Sequence, residues 1–347
     1  YTSGTTAMPK GCYLNHTVLQ HAGVVGGVGN LGLRQGDKVF APLPMFHTAF
    51  SQPFSGVLHV GGTLISMKRF EGKPALELIH KEKPTAMFPA FAMITNEIIA
   101  QPGYRSDSFK SVRTIVNVGP EDVLMQLQAK MPHTKQITVF GMTETGGSVC
   151  MGNHELTDEE RAQTSGPALP GNEIEIRDPV TNEKLPPNTL GEIVARGIGV
   201  FSGYHKSPEK NAETFDSEGW FHTGDLGEMT ENGEVIFSGR LKDMLKVGGE
   251  NVASVEVEGF LSTHTGVKLA AIVGLPDEKY GEVPVAYIEL EEGSEVSEEE
   301  IIDYCKGQIA SFKIPRHVRF LTEWPMGATK ILKYELREKI AAEFKKN

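Results

Sequence analysis

The chain has 347 residues, 39% apolar and 23% charged, with 34 basic and 45 acidic side chains and a net charge of −11. That length suits two or three globular domains. The acidic balance argues against a nucleic-acid-binding surface, though a few local Lys and Arg side chains suffice for a nucleotide, and no apolar run is long enough to span a membrane. Cys12, Cys150 and Cys305 are too far apart in sequence for a metal or redox motif, which fits a reducing, cytoplasmic compartment.

Taken in order, the chain opens on Tyr1-Thr2-Ser3-Gly4-Thr5-Thr6-Ala7-Met8-Pro9-Lys10-Gly11. Thr2, Ser3, Thr5 and Thr6 offer hydroxyls, Gly4 and Gly11 permit tight turns, and Lys10 adds positive charge, a set suited to phosphate oxygens. A polar, exposed terminus has the same composition. A chain starting at Tyr on such a loop is expected to be preceded by an N-terminal portion of the protein.

The periodicity next predicts a glycine-weakened helix over 14–29 and a strand over 37–43. Strands over 63–66, 85–88, 113–118 and 136–140 alternate with helices over 74–81, 91–100 and 121–131. The alternation predicts a parallel, layered α/β sheet, with ligands at the carboxyl ends of its strands. Beyond about residue 165, short strands over 173–177, 191–195, 226–229 and 235–239 suggest a small antiparallel β subdomain or barrel. Ser207-Pro208 starts a short helix to Thr214. From Leu241 the texture is α+β: helix 255–261, strands 267–273 and 283–290, a helix from the Ser297/Glu300 capping box to about Ala310, strand 318–321 and helix 333–346. The expected organisation is residues 1–240 as one large domain (1–165 α/β, 166–240 β) and 241–347 as a small domain joined by a short hinge.

Three further segments carry chemistry-bearing residues. Phe140-Gly141-Met142-Thr143-Glu144-Thr145-Gly146-Gly147 delivers a threonine and a glutamate from a strand into a loop. Glu144 alone reads as a solvated carboxylate or as a ligand for a hard cation such as Mg²⁺. In Thr223-Gly224-Asp225 the aspartate either holds a turn or accepts ribose hydroxyls. Gly239-Arg240-Leu241-Lys242-Asp243-Met244-Leu245-Lys246-Val247-Gly248-Gly249 reads alone as a solvated basic patch.

These segments, in this order, resemble the adenylate-forming (AMP-binding) superfamily, in its acyl-CoA synthetase branch. The first loop is similar to Ser-Gly-Thr-Thr-Gly-x-Pro-Lys-Gly, with Ala7 at the middle glycine, and the second to Tyr-Gly-x-Thr-Glu, with Phe140 for tyrosine. The resemblance implies that Thr2, Ser3, Gly4, Thr5, Thr6 and Lys10 bind phosphates, and that Gly119, Phe140, Gly141 and Met142 contact the nucleotide. Asp225 would bind its ribose, Arg240 would contact it as well, and Glu144 would hold Mg²⁺ beside Thr143. It further implies that Lys242 is an interdomain hinge, that Lys246 serves a second half-reaction, and that Gly248 and Gly249 line the path of coenzyme A. In Pro325-Met326-Gly327-Ala328-Thr329-Lys330-Ile331, Lys330 matches the catalytic lysine of the family, with Thr329 where a glycine is usual.

His47, Val118, Gly146 and Gly147 fall where the family places its acyl pocket; His47 reads equally as a core or capping histidine. The candidates around them, Phe91, Val116, Asn117, Val118, Phe140, Met142 and Val149, are mostly apolar and suggest a hydrophobic acid, with Gly146 and Gly147 leaving room for length. The implied activity is ATP-dependent conversion of a small-molecule carboxylic acid to acyl-AMP and then acyl-CoA. A stand-alone adenylation domain for another carrier thiol, or a nucleotide-binding but inactive fragment, are the alternatives.

Overall fold

In a computed structural model, which describes residues 1–2, 9–326 and 331–344, the chain divides into two compact units. One comprises Gly11–Thr223 and Gly227–Phe237, the other Tyr1–Lys10, Gly224–Leu226 and Ser238–Asn347.

The first unit is built on five short strands: β1 (Lys38–Phe40), β2 (Thr63–Ile65), β3 (Ala86–Phe91), β4 (Thr114–Val118) and β5 (Lys135–Ile137). Their order is β2-β1-β3-β4-β5, and each neighbouring pair is parallel. Side chains of a strand alternate between faces. Val39, Phe88 and Val116 join one core with Phe50 and Val57, whereas Phe40, Met87 and Ile115 join another with Leu76, Ile98 and Leu124. A parallel sheet covered on both faces has to be apolar on both, which is why the strands read as continuous hydrophobic runs.

The helices covering this sheet are α1 (His16–His21), α2 (Thr48–Val60), α3 (Gly72–Glu82), α4 (Ala92–Ile99) and α5 (Glu121–Lys130). The single helix expected over 14–29 is in fact two pieces. After α1, which is capped by the Asn15 side chain, residues Ala22–Asn30 wind as a π-helix. Close packing against α2 accompanies the change: a Cβ on Gly23 would lie 2.4 Å from the Gln52 carbonyl oxygen and 1.8 Å from Ser55 Oγ. Helix α2 itself was not expected from the sequence, and it carries Pro53 in its interior, a residue that disfavours helix. It ends at Gly61, in the left-handed conformation with φ 63°.

The strand expected over 136–140 also divides. β6 (Val139–Phe140) leaves the parallel sheet and pairs antiparallel with β7 (Cys150–Met151), so that residues 141–149 form the connection. A short helix α6 (Asp158–Gln163) follows, closed by a Thr157/Glu160 capping box. Next come β8 (Asn172–Arg177), β9 (Gly191–Gly197), β10 (Phe221–Met229) and β11 (Val235–Arg240), a four-stranded sheet in the order β11-β10-β9-β8, with α7 (Pro208–Thr214) between β9 and β10 in sequence.

From Leu241 the second unit continues with a 3₁₀ turn at Leu241–Asp243 and the hairpin of β12 (Met244–Val247) and β13 (Glu250–Ala253). The long hairpin of β14 (Val267–Asp277) and β15 (Gly281–Leu290) extends the sheet, and β16 (His317–Phe320) adds to β15 in parallel. Helices α8 (Ser254–Leu261), α9 (Glu298–Cys305) and α10 (Lys333–Phe344) complete it. The Ser297/Glu300 capping box is present as expected, but α9 stops at Cys305, short of the expected Ala310. No helix of the described residues is long and apolar enough to cross a membrane.

Candidate active site

Strand order 2-1-3-4-5 creates a switch point between β1 and β3, where the connections leave in opposite directions; ligands of open α/β sheets bind at the strands' carboxyl ends at such a point. His47, after β1, and Phe91, at the end of β3, meet there edge-to-face, with ring centroids 6.0 Å apart. Just before Phe91 the β3–β4 register shifts, and Ala90 takes φ 63°, a left-handed conformation costing a non-glycine residue roughly 1 kcal/mol. His47 is the N-cap of α2, its Nδ1 accepting from the Ala49 N–H at 3.1 Å. The capping role read from the sequence is therefore met at the very place where an acyl site was expected. Val118 ends β4 and is 38% exposed, open to contact.

Next along this edge, Thr143–Thr145 form one 3₁₀ turn after β6. The Met142 N–H donates to Thr145 Oγ1 at 3.0 Å, and the Thr145 hydroxyl donates to the Met142 carbonyl at 3.1 Å, which fixes the turn. Thr143 Oγ1 lies 3.4 Å from Thr48 Oγ1, on the first turn of α2. Glu144 is only 9% exposed. Tyr204 donates its hydroxyl to Glu144 Oε1 at 2.7 Å, and the Phe201 N–H donates to the Glu144 carbonyl at 2.8 Å. Among the described residues no cation pairs with this carboxylate. A nearly buried carboxyl group with no cationic side chain beside it among the described residues fits a metal ligand. The described residues contain no cluster of three or more His, Cys, Asp or Glu that would hold a metal by itself. Mg²⁺ suits such a place, since it commonly takes one or two carboxylates and completes its shell with phosphate and water oxygens.

Tyr204 was not among the residues singled out from sequence. It stands 60 positions from Glu144, and no spacing rule connects a lone tyrosine to a carboxylate so far away.

Two expectations for this unit change. Phe140 is 6% exposed and stacks on Phe237 with centroids 5.7 Å apart, so its ring packs into the core and leaves little surface for a nucleotide. Gly146 and Gly147 do not leave room for a long acyl chain. A Cβ on Gly146 would lie 2.6 Å from the Val18 carbonyl oxygen, and one on Gly147 3.2 Å from Gln52 Oε1. Their φ values, 63° and 123°, require glycine on backbone grounds as well. Gly141 is similarly constrained: its Cβ would fall 2.0 Å from the Gly147 carbonyl oxygen. Gly119, at the end of β4, would bring a Cβ within 2.9 Å of Ala92. Met142 is half-buried against the Phe140 and Phe201 clusters.

In the second unit, Thr2 and Lys10 hold each other: the Thr2 N–H donates to the Lys10 carbonyl at 2.8 Å, and the Lys10 N–H to Thr2 Oγ1 at 3.0 Å. Ser3, Gly4, Thr5 and Thr6 lie outside the described residues. Asp225, 3% exposed, forms an ion pair with Arg240, Nε to Oδ1 2.7 Å. The two residues assigned separately to ribose and nucleotide are thus one pair. Lys242 occupies the middle of the 3₁₀ turn that follows. Lys246 is exposed on β12, its backbone N–H bonded to Glu282. Gly248 and Gly249 form the two-residue β12–β13 turn with φ 62° and 94°, a geometry that demands glycine whether or not a ligand passes. Lys330 lies outside the described residues. On either side of it, Met326 and Ile331 form a bridge, and the Leu332 N–H donates to the Pro325 carbonyl at 2.7 Å. Helix α10 is held by ion pairs to two elements, Lys333 to Glu258 of α8 (2.5 Å) and Arg337 to Asp243 of the 3₁₀ turn.

Two family models match the chain in sequence order: AMP-binding enzyme over residues 1–205 and AMP-binding enzyme C-terminal domain over residues 256–330. The chain belongs to the AMP-binding enzyme family. Over 99% of its length it is 36% identical to the putative acyl-CoA synthetase YngI of Bacillus subtilis, covering 63% of that protein. It is 34% identical to the mitochondrial medium-chain acyl-CoA ligase ACSF2 of Rattus norvegicus over 99% of this chain and 57% of that one. Among solved structures, ATP-bound MatB of Rhodopseudomonas palustris matches with a TM-score of 0.89 at 30% identity, covering 98% of this chain and 67% of that one. The o-succinylbenzoate coenzyme A synthetase MenE of Bacillus subtilis, in complex with ATP and magnesium ion, matches with a TM-score of 0.85 at 29% identity, over 97% and 68%. The chain therefore spans about 57–63% of these two curated relatives. This AMP-binding chain has the α/β architecture of adenylate-forming enzymes, with the α+β unit at its C-terminal end.

Proposed function

We propose that this chain provides the phosphate-handling and mobile parts of an AMP-forming acid–thiol ligase. The acid's carboxylate attacks the α-phosphorus of ATP, the bond to pyrophosphate breaks, and acyl-AMP forms. The thiol of coenzyme A then displaces AMP to give the thioester. The observation that carries this reading is Glu144: an almost buried carboxylate, bonded by Tyr204 and without a cationic partner among the described residues, on the Thr-Glu turn whose Thr143 meets Thr48 at the start of α2. Glu144 would hold Mg²⁺, which screens phosphate charge as pyrophosphate leaves. Thr2, Lys10, Thr143, Asp225 and Arg240 are assigned to the nucleotide, and Lys330 to the transferring phosphoryl group and the acid's carboxylate.

The second half-reaction is assigned to Lys246 and the Gly248-Gly249 turn, brought into use by rotation about Lys242. His47, Phe91 and Val118 are assigned to the acid, whose partner surfaces are apolar; the relatives' names span medium-chain and coumaric acids, so length is left to experiment. Isotope exchange between pyrophosphate and ATP, measured on the full-length protein with short, medium and long fatty acids and arylpropenoic acids, tests the reading. Acid-dependent exchange supports it, followed by AMP release with coenzyme A. ATP binding with no exchange for any acid would instead identify an inactive nucleotide-binding chain.

A further inference from the structure

The segment that meets Glu144 is itself rigidly built. Gly203 has φ 123°, and a Cβ there would lie 3.1 Å from the Asn211 side chain. That side chain holds the next residue at both ends: the Tyr204 N–H donates to Asn211 Oδ1 at 2.7 Å, and Asn211 Nδ2 donates to the Tyr204 carbonyl at 3.1 Å. The Tyr204 ring, 5% exposed, packs edge-on against Phe201 with centroids 4.9 Å apart, and Phe201 packs on Phe221 at 5.1 Å. The same segment is laced to the residues that follow the opening loop. The Tyr13 N–H donates to the Gly203 carbonyl at 2.9 Å, the Ser202 N–H to the Tyr13 carbonyl at 3.1 Å, and the His205 N–H to the Gly11 carbonyl at 2.7 Å.

We propose that Tyr204 is a positioning residue for the divalent cation: it binds Glu144 Oε1 and thereby presents Oε2 to Mg²⁺. The inference rests on the reading of Glu144 as the metal ligand and adds to it the group that orients the ligand. A carboxylate on a flexible side chain loses rotamer freedom when it binds a cation. A buried hydroxyl already bonded to one oxygen removes that loss in advance, and a charge-assisted bond of this kind is among the stronger hydrogen bonds. Because the Tyr204 backbone is locked by Asn211 and its ring by Phe201, the hydroxyl has little freedom to follow a carboxylate that turns away. Its attachment at Gly11–Tyr13 also ties the position of the carboxylate to the end of the opening loop.

The test uses Tyr204→Phe, which keeps the ring and removes one oxygen. Binding of Mn²⁺ to the full-length protein with ATP, read by electron paramagnetic resonance, is compared for the parent, Tyr204→Phe, Glu144→Gln and the double variant. Tyr204→Phe is expected to weaken Mn²⁺ binding about tenfold. Glu144→Gln should weaken it further, and Tyr204→Phe should add nothing once Glu144 is gone. In turnover, the concentration of Mg²⁺ at half-saturation should rise about tenfold, with lost rate recovered as Mg²⁺ is raised. If Glu144→Gln weakens Mn²⁺ binding but Tyr204→Phe does not, the positioning role is overturned and the ligand reading stands. If Glu144→Gln binds Mn²⁺ like the parent, both fall. A drop in kcat and thermal stability with unchanged metal dependence would reduce Tyr204 to a packing residue and also overturn the proposal.

Discussion

Arg240 Nε lies 2.7 Å from Asp225 Oδ1, so the arginine at the end of β11 neutralises the nearly buried aspartate within β10. A carboxylate paired with a guanidinium is an acceptor, the property required of a partner for ribose hydroxyls. Asp225→Asn is expected to raise the KM for ATP about tenfold and to abolish discrimination against 2′,3′-dideoxy-ATP. Arg240→Ala should raise KM as well while retaining part of that discrimination. Steady-state kinetics with both nucleotides decide it, and equal discrimination by Asp225→Asn and parent would remove the ribose contact.

Gly146→Ala is expected to cost about 2 kcal/mol of stability in urea unfolding, combining left-handed strain with a close backbone contact. The opposing atom is the Val18 carbonyl oxygen at 2.6 Å, which belongs to the backbone and has little freedom to yield. A variant of unchanged stability that merely prefers shorter acids would show that the glycine makes acyl space after all.

Lys330→Ala is expected to slow acyl-AMP formation at least a hundredfold while leaving thioester formation from supplied acyl-AMP within a few-fold of the parent. Rapid-quench measurement of each half-reaction checks this, and equal losses in both would remove the assigned role. Lys242→Pro, which fixes φ near −65°, should damage thioester formation more than adenylation. Lys242→Ala should be mild in both.

At Asp37, burial pushes the carboxyl pKa up, but hydrogen bonds from Arg113, the Arg34 N–H and Thr85 outweigh it and leave the pKa lowered. Arg113 Nη2 approaches Asp37 Oδ2 to 2.7 Å. A carboxyl whose folded pKa is depressed adds stability above its unfolded pKa, near 4, and loses it as pH falls through the folded value. Denaturant midpoints of the parent should therefore fall on acidification below about pH 4. Asp37→Asn should be less stable than the parent at neutral pH by about 2 kcal/mol, and the gap should narrow with acid. A gap that is constant with pH would exclude the charge as its source.

Much of this architecture was written locally. The alternation of apolar runs with amphipathic stretches identified the parallel sheet, because a strand buried on both faces has no other composition available. The Ser297/Glu300 box was legible because the motif satisfies its own backbone groups within a few residues, whereas the Gly248-Gly249 hairpin, in a segment read as a solvated basic patch, was not expected. The Thr143-Glu144 and Asp225 segments stood out in the sequence only by their resemblance to family motifs of fixed order.

What the sequence could not determine depended on contacts between distant residues. Helix α2 formed despite Pro53, because its burial against the sheet and the glycine-lined π-helix outweighs a poor local propensity. Gly146 and Gly147 looked like empty space, since a sequence does not show that Val18 and Gln52 fill it. Tyr204 acquires its meaning only when Asn211, Phe201 and the Gly11–Tyr13 stretch bring its hydroxyl to Glu144. Periodicity and motif spacing encode what a segment does with its own neighbours. Which oxygen of Glu144 is held by Tyr204 was decided by tertiary packing alone, because hydrogen bonds between side chains depend on distances that no local pattern carries.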